Sequence, residues 1–479
     1  MASSDASFHT LQVLDRNAGH EFKIPVKCIH DGSDVSFFLA SRAYTDIMTF
    51  LFQLNASMFP RKVVNQELKS ETVKEWTLED DDVVFPAIVQ NLSKLLAALD
   101  AIIDSTPPDP GPRRFGNISF RKWHAEVERV VPDLLNQYLP KDVLSNPNSE
   151  IAPSAELQTY LMGSFGSAQR LDYGTGHELS FLAFLGGLWK LGAFPDSVDG
   201  SSERAIVLGV FEPYLKLIRR LILTYTLEPA GTHGVWGLDD HSFVSYIFGS
   251  AQLAPAISSP SEMVTEGSLP NAPNPADVAK ASAVERERKR NMYFSAIGFI
   301  YDVKKGPFWE HSPILFDISG VKAGWAKINK GMLKMYNAEV LSKFPVVQHF
   351  PFGSLFAWER DPAAKQIEAS VHTSSQPRSN PNTSAKPQPP LRDPMAEPSV
   401  ATGNRGGLPP MSGTAAPWAS SRAPPAVPSG PNQPTKAPWT SRTPLPPPTA
   451  GGARGVPSTR APWAGKQPLN EGNESGLRR

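Results

Sequence analysis

The chain has 479 residues, 47 Lys and Arg balanced by 47 Asp and Glu, and a single cysteine, Cys28. One cysteine excludes a disulfide framework and a cysteine-based zinc site, which fits a reducing compartment. The N-terminus lacks a signal-peptide pattern and no apolar run approaches the length that a bilayer needs, so we expect a soluble intracellular protein with no membrane partner.

The balanced charge hides a difference between a body and a tail. From Val371 onward twelve Lys and Arg stand against four Asp and Glu, which leaves 35 basic and 43 acidic residues before it. An acidic body argues against a nucleic-acid-binding core, because such a core needs a basic face to replace phosphate counterions. The tail is rich in proline and lacks apolar periodicity, which predicts disorder and no specific nucleic-acid contact.

The sequence A-P-W recurs in this tail at Ala416, Ala437 and Ala461. Proline favours an extended helix and tryptophan offers an anchoring ring, so each unit suits an aromatic groove on a partner domain. Random sequence drift within a proline-rich disordered tail explains the three repeats equally well.

Apolar residues at helical spacing predict helices along the whole body. An extended arm over 22–26 precedes a helix capped by Ser41, and the helix over 88–102 is closed by Thr106-Pro107-Pro108. Further helices are predicted over residues 127–138, 157–161, 179–191, 203–225, 243–248, 285–301 (opening with the charge run E-R-E-R-K-R) and 325–344. Nothing alternates with period two for long, so the body is predicted to be all-α.

A first glycine-rich segment, residues 164–178, leads into one of these helices. The N–H groups and the dipole of a helix N-terminus suit a phosphate, and Arg170 and Thr175 add a charge and a hydroxyl. Neither standard nucleotide signature is met, and Phe181 stands where a zinc protease needs its second histidine. Taken alone, Arg170 and His177 are expected to hold loop carbonyls and carboxylates.

A second glycine-rich segment, residues 228–253, has three glycines at intervals of three followed by Asp239 and Asp240. The simplest interpretation is a tight turn in which the Asp pair caps the following helix or holds a cation. Trp236 lies between two of the glycines. A simple turn does not require a large apolar ring at such a position, so the tryptophan favours a functional loop.

Four blocks of the sequence together resemble the phosphotyrosyl phosphatase activator family. They are Y-G-T-G-H-E at Tyr173, E-P-A-G-x-x-G-V-W-G-L-D-D at Glu228, G-P-F-x-E-H-S at Gly306 and K-F-P-V-V-Q-H-F-x-F-G-S-L at Lys343. Members of this family are activators of protein phosphatase 2A and are also called peptidyl-prolyl isomerases. The resemblance, closest to the fungal type, implies a flexible N-terminus over 1–21, a helical domain of core, linker and lid parts over 22–360, and a disordered tail over 361–479.

The resemblance also implies ATP and Mg²⁺ as cofactors, bound at the lid beside a peptide-binding cleft. The family's nucleotide contacts correspond to Arg170, Thr175 and Gly176, with Gln348 and His349 closing the pocket. Its metal positions correspond to Gly234, through the backbone carbonyl, and to Asp240. The loops over 193–202 and 258–277 depart from the family pattern, which puts partner contacts there in doubt.

The function implied is activation of a protein phosphatase 2A-type catalytic subunit, with isomerase activity on a proline-containing peptide, in the cytoplasm and nucleus. Rotation about an X-Pro bond has a barrier of roughly 18–20 kcal/mol from amide resonance. A cleft with Trp236 as an apolar wall and Asp239 holding peptide N–H groups would lower it by binding the twisted amide. Two alternatives remain open: a binding module that stabilises an active phosphatase without turnover, and an independent ATP hydrolase.

Overall fold

The computed structural model describes residues 9–15, 19–65, 70–80, 83–111, 115–197, 199–230 and 237–364. Contacts divide the chain into two units, 1–381 and 382–479, and every described residue lies in the first. The A-P-W repeats therefore lie outside the described residues. The expected boundaries near residues 21 and 360, and the division into core, linker and lid, stay predictions.

The first half of the described chain is helical. Its helices are α1 (Gly32–Phe38), α2 (Arg42–Ser57), α3 (Ala87–Ser105), α4 (Ser119–Tyr138), α5 (Lys141–Leu144), α6 (Pro153–Gly163), α7 (Thr175–Lys190) and α8 (Ser201–Ile206). Apolar periodicity predicts these helices except the two over residues 32–38 and 141–144, which the sequence patterns did not indicate. Ser41 caps α2 as expected, since its side chain accepts the N–H of Tyr44. Helix α3 ends at Ser105, before Pro107, because proline cannot continue a helix.

The second half is helical as well, which confirms the all-α prediction. It contains α9 (Glu212–Tyr225), α10 (Val244–Gln252), a 3₁₀ turn (Pro275–Ala279), α11 (Ala281–Glu287), α12 (Met292–Val303), α13 (Phe308–His311), α14 (Pro313–Ser319), α15 (Trp325–Tyr336), a π turn (Asn337–Leu341) and α16 (Phe344–Val347). Within the described residues no helix combines the length and apolar character that crossing a bilayer demands.

Three predicted helices are interrupted. In the one expected over 325–344, α15 passes into a π turn (Asn337–Leu341) before α16. The helix expected over 203–225 consists of α8, a π turn (Val207–Phe211) and α9, because Pro213 has no N–H with which to continue the α-helical bonding. The charge run over 285–290 does not start a continuous helix. Helix α11 ends at Glu287, and Asn291 caps α12 by accepting the N–H of Phe294 at 3.1 Å.

The described residues also form three short strand pairs. They are β1 (Val26–Lys27) antiparallel to β6 (Pro351–Phe352), β2 (Arg61–Asn65) antiparallel to β3 (Ser70–Lys74), and β4 (Asp172–Tyr173) parallel to β5 (Glu228–Pro229). The β2–β3 pair was missed by the sequence reading. In the predicted arm Phe22 and Pro25 are buried, but Ile24 and Val26 are exposed, so only half of the arm packs as expected.

Helix α7 lies at the centre of the core. Every residue from Glu178 to Lys190 is buried, and the helix contacts α2, α6 and α16. A helix that is apolar on all sides needs neighbours on all sides. Its N-terminus is therefore held in a defined place against several other parts of the chain.

Candidate functional site

The two glycine-rich segments lie side by side. Strand β4 pairs with β5, and the N–H of Ala230 donates to the carbonyl oxygen of Tyr173 at 2.8 Å. A Cβ atom on Gly174 would lie 2.9 Å from Cβ of Ala230, so this close approach requires glycine. Residues 231–236 follow directly, and the predicted roles of Gly234 and Trp236 lie outside the described residues.

The N-terminus of α7 has the features of an anion site. The helix begins at Thr175, four residues before the predicted start at residue 179, and no side chain caps it. Thr175 and Gly176 form its first turn and are half-buried. The first N–H groups of a helix have no partner within the helix, and the positive end of the dipole lies there. A phosphate fits this arrangement.

The fourth family block packs against the same turn. A Cβ atom on Gly176 would lie 3.2 Å from the carbonyl oxygen of Val346, so α16 lies directly over the start of α7. Gln348 and His349 follow α16, and the Gln348 Nε2 donates to the Pro345 carbonyl at 3.3 Å. Burial lowers the pKa of His349, and the nearby charge of Arg170 lowers it further.

Arg170 and His177 both have partners within the chain. The Nε of Arg170 donates to the Asp172 carboxylate at 2.6 Å, and Nδ1 of His177 donates to the carbonyl of Gly163 at 2.7 Å. Burial acts to raise the pKa of Asp172, but His177 and Arg170 lower it overall. The expectation that these two basic residues hold a carboxylate and a carbonyl is confirmed. Because the Arg170 side chain is 43% exposed, it also remains accessible to a ligand.

The two aspartates of the second segment have different surroundings. Oδ1 of Asp239 accepts the N–H groups of His241 at 2.8 Å and Ser242 at 3.3 Å, and Oδ2 accepts the hydroxyl of Tyr246. Oδ2 of Asp240 lies 2.7 Å from Nζ of Lys304. Asp239 therefore orders its own loop, and Asp240 already holds a cationic group.

The expected cap of α10 comes from a different part of the chain. Oε2 of Glu178, in the first turns of α7, accepts the N–H of Phe243 at 2.9 Å and of Val244 at 3.2 Å. The interpretation of the Asp pair as the helix cap is therefore wrong. Helix α10 begins only at Val244, and the carboxyl group of Glu178 accepts the N–H groups at its start in place of an aspartate. Sequence reasoning missed Glu178, since the bond joins residues 65 apart.

Glu178 is also electrostatically unusual. The side chain is fully buried, and burial raises its pKa from 4.5 to about 8. Its second oxygen, Oε1, is buried and has no hydrogen-bond partner among the described residues. Glu178 thus joins the two glycine-rich segments as a carboxyl group that favours the neutral form.

The described residues offer few metal ligands. They contain no group of three or more His, Cys, Asp or Glu placed to hold a metal ion. The carboxylate of Asp240 nevertheless fits a hard cation, since oxygen is the ligand that Mg²⁺ prefers and this oxygen lies against an ammonium group. Mg²⁺ keeps several waters and binds phosphate oxygens, so it needs few ligands from the protein.

Comparison with known proteins identifies the family. The model of phosphotyrosyl phosphate activator (PTPA) proteins matches residues 25–358. This chain belongs to the PTPA family. The match spans the four blocks discussed above, and it confirms the resemblance on which the site assignments depend.

Curated relatives and a solved structure agree with the assignment of the PTPA chain. Proteins named serine/threonine-protein phosphatase 2A activator 1 are similar to it. The one from Aspergillus fumigatus is 58% identical over 422 residues (87% of this chain, 84% of the relative), and the one from Emericella nidulans is 62% identical over 371 residues (77% and 85%). The crystal structure of the PP2A phosphatase activator Ypa1 matches with a TM-score of 0.59 and 37% identity, covering 74% of this chain and 100% of that chain.

Proposed function

We propose that the PTPA chain activates a protein phosphatase 2A-type catalytic subunit and binds ATP with Mg²⁺ at the start of α7. The names of the relatives support the phosphatase as partner. The nucleotide proposal depends on one observation: no side chain caps the first turn of α7. Two other family blocks approach this turn, with Ala230 next to Gly174 and Val346 next to Gly176. Residence in the cytoplasm and nucleus stays a prediction.

The proposed phosphate contacts follow from the geometry of this turn. The N–H groups of Thr175 and Gly176 and the Thr175 hydroxyl would donate to phosphate oxygens. Arg170 would add a positive charge by turning from Asp172 towards the phosphate, which its exposure allows. Gln348 and His349 would close the pocket from the side of α16.

The proposed metal ligands are the Asp240 carboxylate and the Gly234 carbonyl. Mg²⁺ bound there would neutralise phosphate charge. The protein's own contribution is to join both ends of the loop that contains Asp240 to the region around the start of α7. Before the loop, strand β5 pairs with β4 at Tyr173. After the loop, the N–H groups of Phe243 and Val244 donate to Glu178.

The proposed isomerase cleft uses the same loop. Trp236 would form an apolar wall from which water is excluded, so that a twisted X-Pro amide binds better than a planar one. Asp239 orders the loop with three accepted hydrogen bonds. A carboxylate has about four acceptor positions, so one remains for an N–H of the peptide.

The nucleotide proposal is tested with Gly176→Ala, using isothermal titration of ATP and Mg²⁺. The added methyl group would press on the Val346 carbonyl and narrow the pocket, and we expect ATP to bind about tenfold more weakly. Gly331→Ala is the matched control, because nothing lies within 4 Å of the position of its Cβ. Equal ATP affinity of the wild type and Gly176→Ala would contradict the placement of the nucleotide.

The alternative of a binding module without turnover is tested with Trp236→Ala. A cis/trans assay on a proline peptide and a phosphatase activation assay are run on the same protein. We expect both activities to fall together. Trp418→Ala, in the tail outside the family match, is the control for loss of a tryptophan. Full activation with lost isomerisation would favour the binding module.

A further inference from the structure

Lys304 lies between two of the family blocks. It follows the last residue of α12, and its N–H donates to the Ile300 carbonyl at 2.8 Å, which anchors its backbone to that helix. Its ammonium group lies 2.7 Å from Oδ2 of Asp240 and donates to the carbonyl of His311 at 3.5 Å. One cation therefore links the loop that contains Asp239 and Asp240, here called the Asp-pair loop, to the segment that contains α13.

This ion pair is better shielded than most surface pairs. The side chains of Lys304 and Asp240 are 26% and 28% exposed. Reduced solvent screening makes the attraction stronger than that of a fully exposed pair. The next residue, Lys305, is exposed, so the two neighbouring lysines have different surroundings.

We propose that the Lys304 ammonium occupies the cation position of Asp240 when no metal is bound, so that a divalent cation binds by displacing it. This inference rests on the proposed metal role of Asp240. The Lys304 nitrogen lies 2.7 Å from Oδ2 of Asp240, and a divalent ion bound about 2.0–2.1 Å from the same oxygen would lie close to the ammonium group, so the two like charges would repel each other.

The small number of ligands makes this competition effective. With no cluster of three metal-binding side chains among the described residues, the affinity for a bare divalent ion depends heavily on Asp240. A competitor on this one carboxylate therefore keeps the site closed to weakly bound cations. Displacement also breaks the link between the Asp-pair loop and His311, so metal binding would release the contact between these two segments.

The test measures Mn²⁺ binding to the full-length chain by electron paramagnetic resonance, without nucleotide. Lys304→Met keeps the length of the side chain and removes its charge, and we expect Mn²⁺ to bind about tenfold more tightly. Lys305→Met controls for the general loss of a positive charge and should bind Mn²⁺ like the wild type. A gain in affinity that is lost again when Asp240 is also replaced is not the result expected from damage to the fold.

Asp240→Asn separates this inference from the metal proposal itself. If Asp240→Asn weakens Mn²⁺ binding but Lys304→Met does not tighten it, the metal site stands and the competition is refuted. Tightening that persists in Lys304→Met combined with Asp240→Asn also refutes it, because the ion then binds elsewhere. If neither the wild type nor Lys304→Met binds Mn²⁺ without nucleotide, the competition is refuted, and the same titration with ATP present decides the metal proposal.

Discussion

The buried carboxyl group of Glu178 makes the stability of the protein depend on pH in a defined direction. Its pKa is raised from 4.5 to about 8 in the folded chain by burial. Between these two pH values the native state holds a proton that the unfolded state has released. The contribution of Glu178 is therefore fully present below about pH 4.5 and is lost as pH rises towards about 8, by about 1.4 kcal/mol of unfolding free energy per pH unit.

Glu178→Gln removes this dependence while keeping an oxygen for the N–H groups of Phe243 and Val244. We expect the unfolding free energy of the variant, relative to the wild type, to rise by about 3 kcal/mol from about pH 5.5 to about pH 7.5. A constant penalty for the new amide N–H₂ shifts the whole curve but not its slope. Urea unfolding followed by circular dichroism at several pH values measures the difference.

A matched pair of variants controls the experiment. Glu359→Gln removes a carboxylate whose side chain is 59% exposed, and it should leave the pH profile close to that of the wild type. Glu178→Ala leaves two buried N–H groups without a partner and also removes the titration, so we expect it to lose about 2–6 kcal/mol relative to the wild type near pH 4.5 and less as pH rises towards about 8. Parallel pH profiles for the wild type and Glu178→Gln would refute the view that Glu178 is neutral in the folded protein.

Two further predictions concern contacts between buried parts of the helical core. Gly249→Ala would place a Cβ atom 2.0 Å from the backbone N of Tyr293, so we expect it to separate α10 from α12. The melting temperature in differential scanning fluorimetry should fall sharply. The control, Gly331→Ala, should be neutral or slightly stabilising, because nothing lies within 4 Å of its Cβ position. Lys190→Met leaves Asp46 without the ammonium that now lies 2.6 Å away, and we expect a loss of about 2–3 kcal/mol in urea unfolding. A second change, Asp46→Asn, should restore part of this loss, and a purely additive double variant would show that the two charges do not interact.

Local patterns were sufficient to predict most of the helices. The cap at Ser41 and the stop before Pro107 concern residues that are neighbours in the chain, and the apolar spacing of α2 and α3 records which face is buried. The same signals could not show that the 203–225 stretch contains a π turn, because the apolar face continues across it. The residues of β2 and β3 lacked a long alternating pattern, so that pair was missed.

The sequence by itself determined that the body is helical, that it carries the four family blocks, and that two glycine-rich segments precede helices. Only the tertiary structure decided how these segments meet. The Glu178 bond to α10 and the pairing of Lys304 with Asp240 each join residues more than sixty positions apart, and no periodicity relates them. Such contacts depend on how α7, α10 and α12 pack, because a buried carboxyl or a shielded ammonium finds its partner only after the apolar faces have brought the helices together.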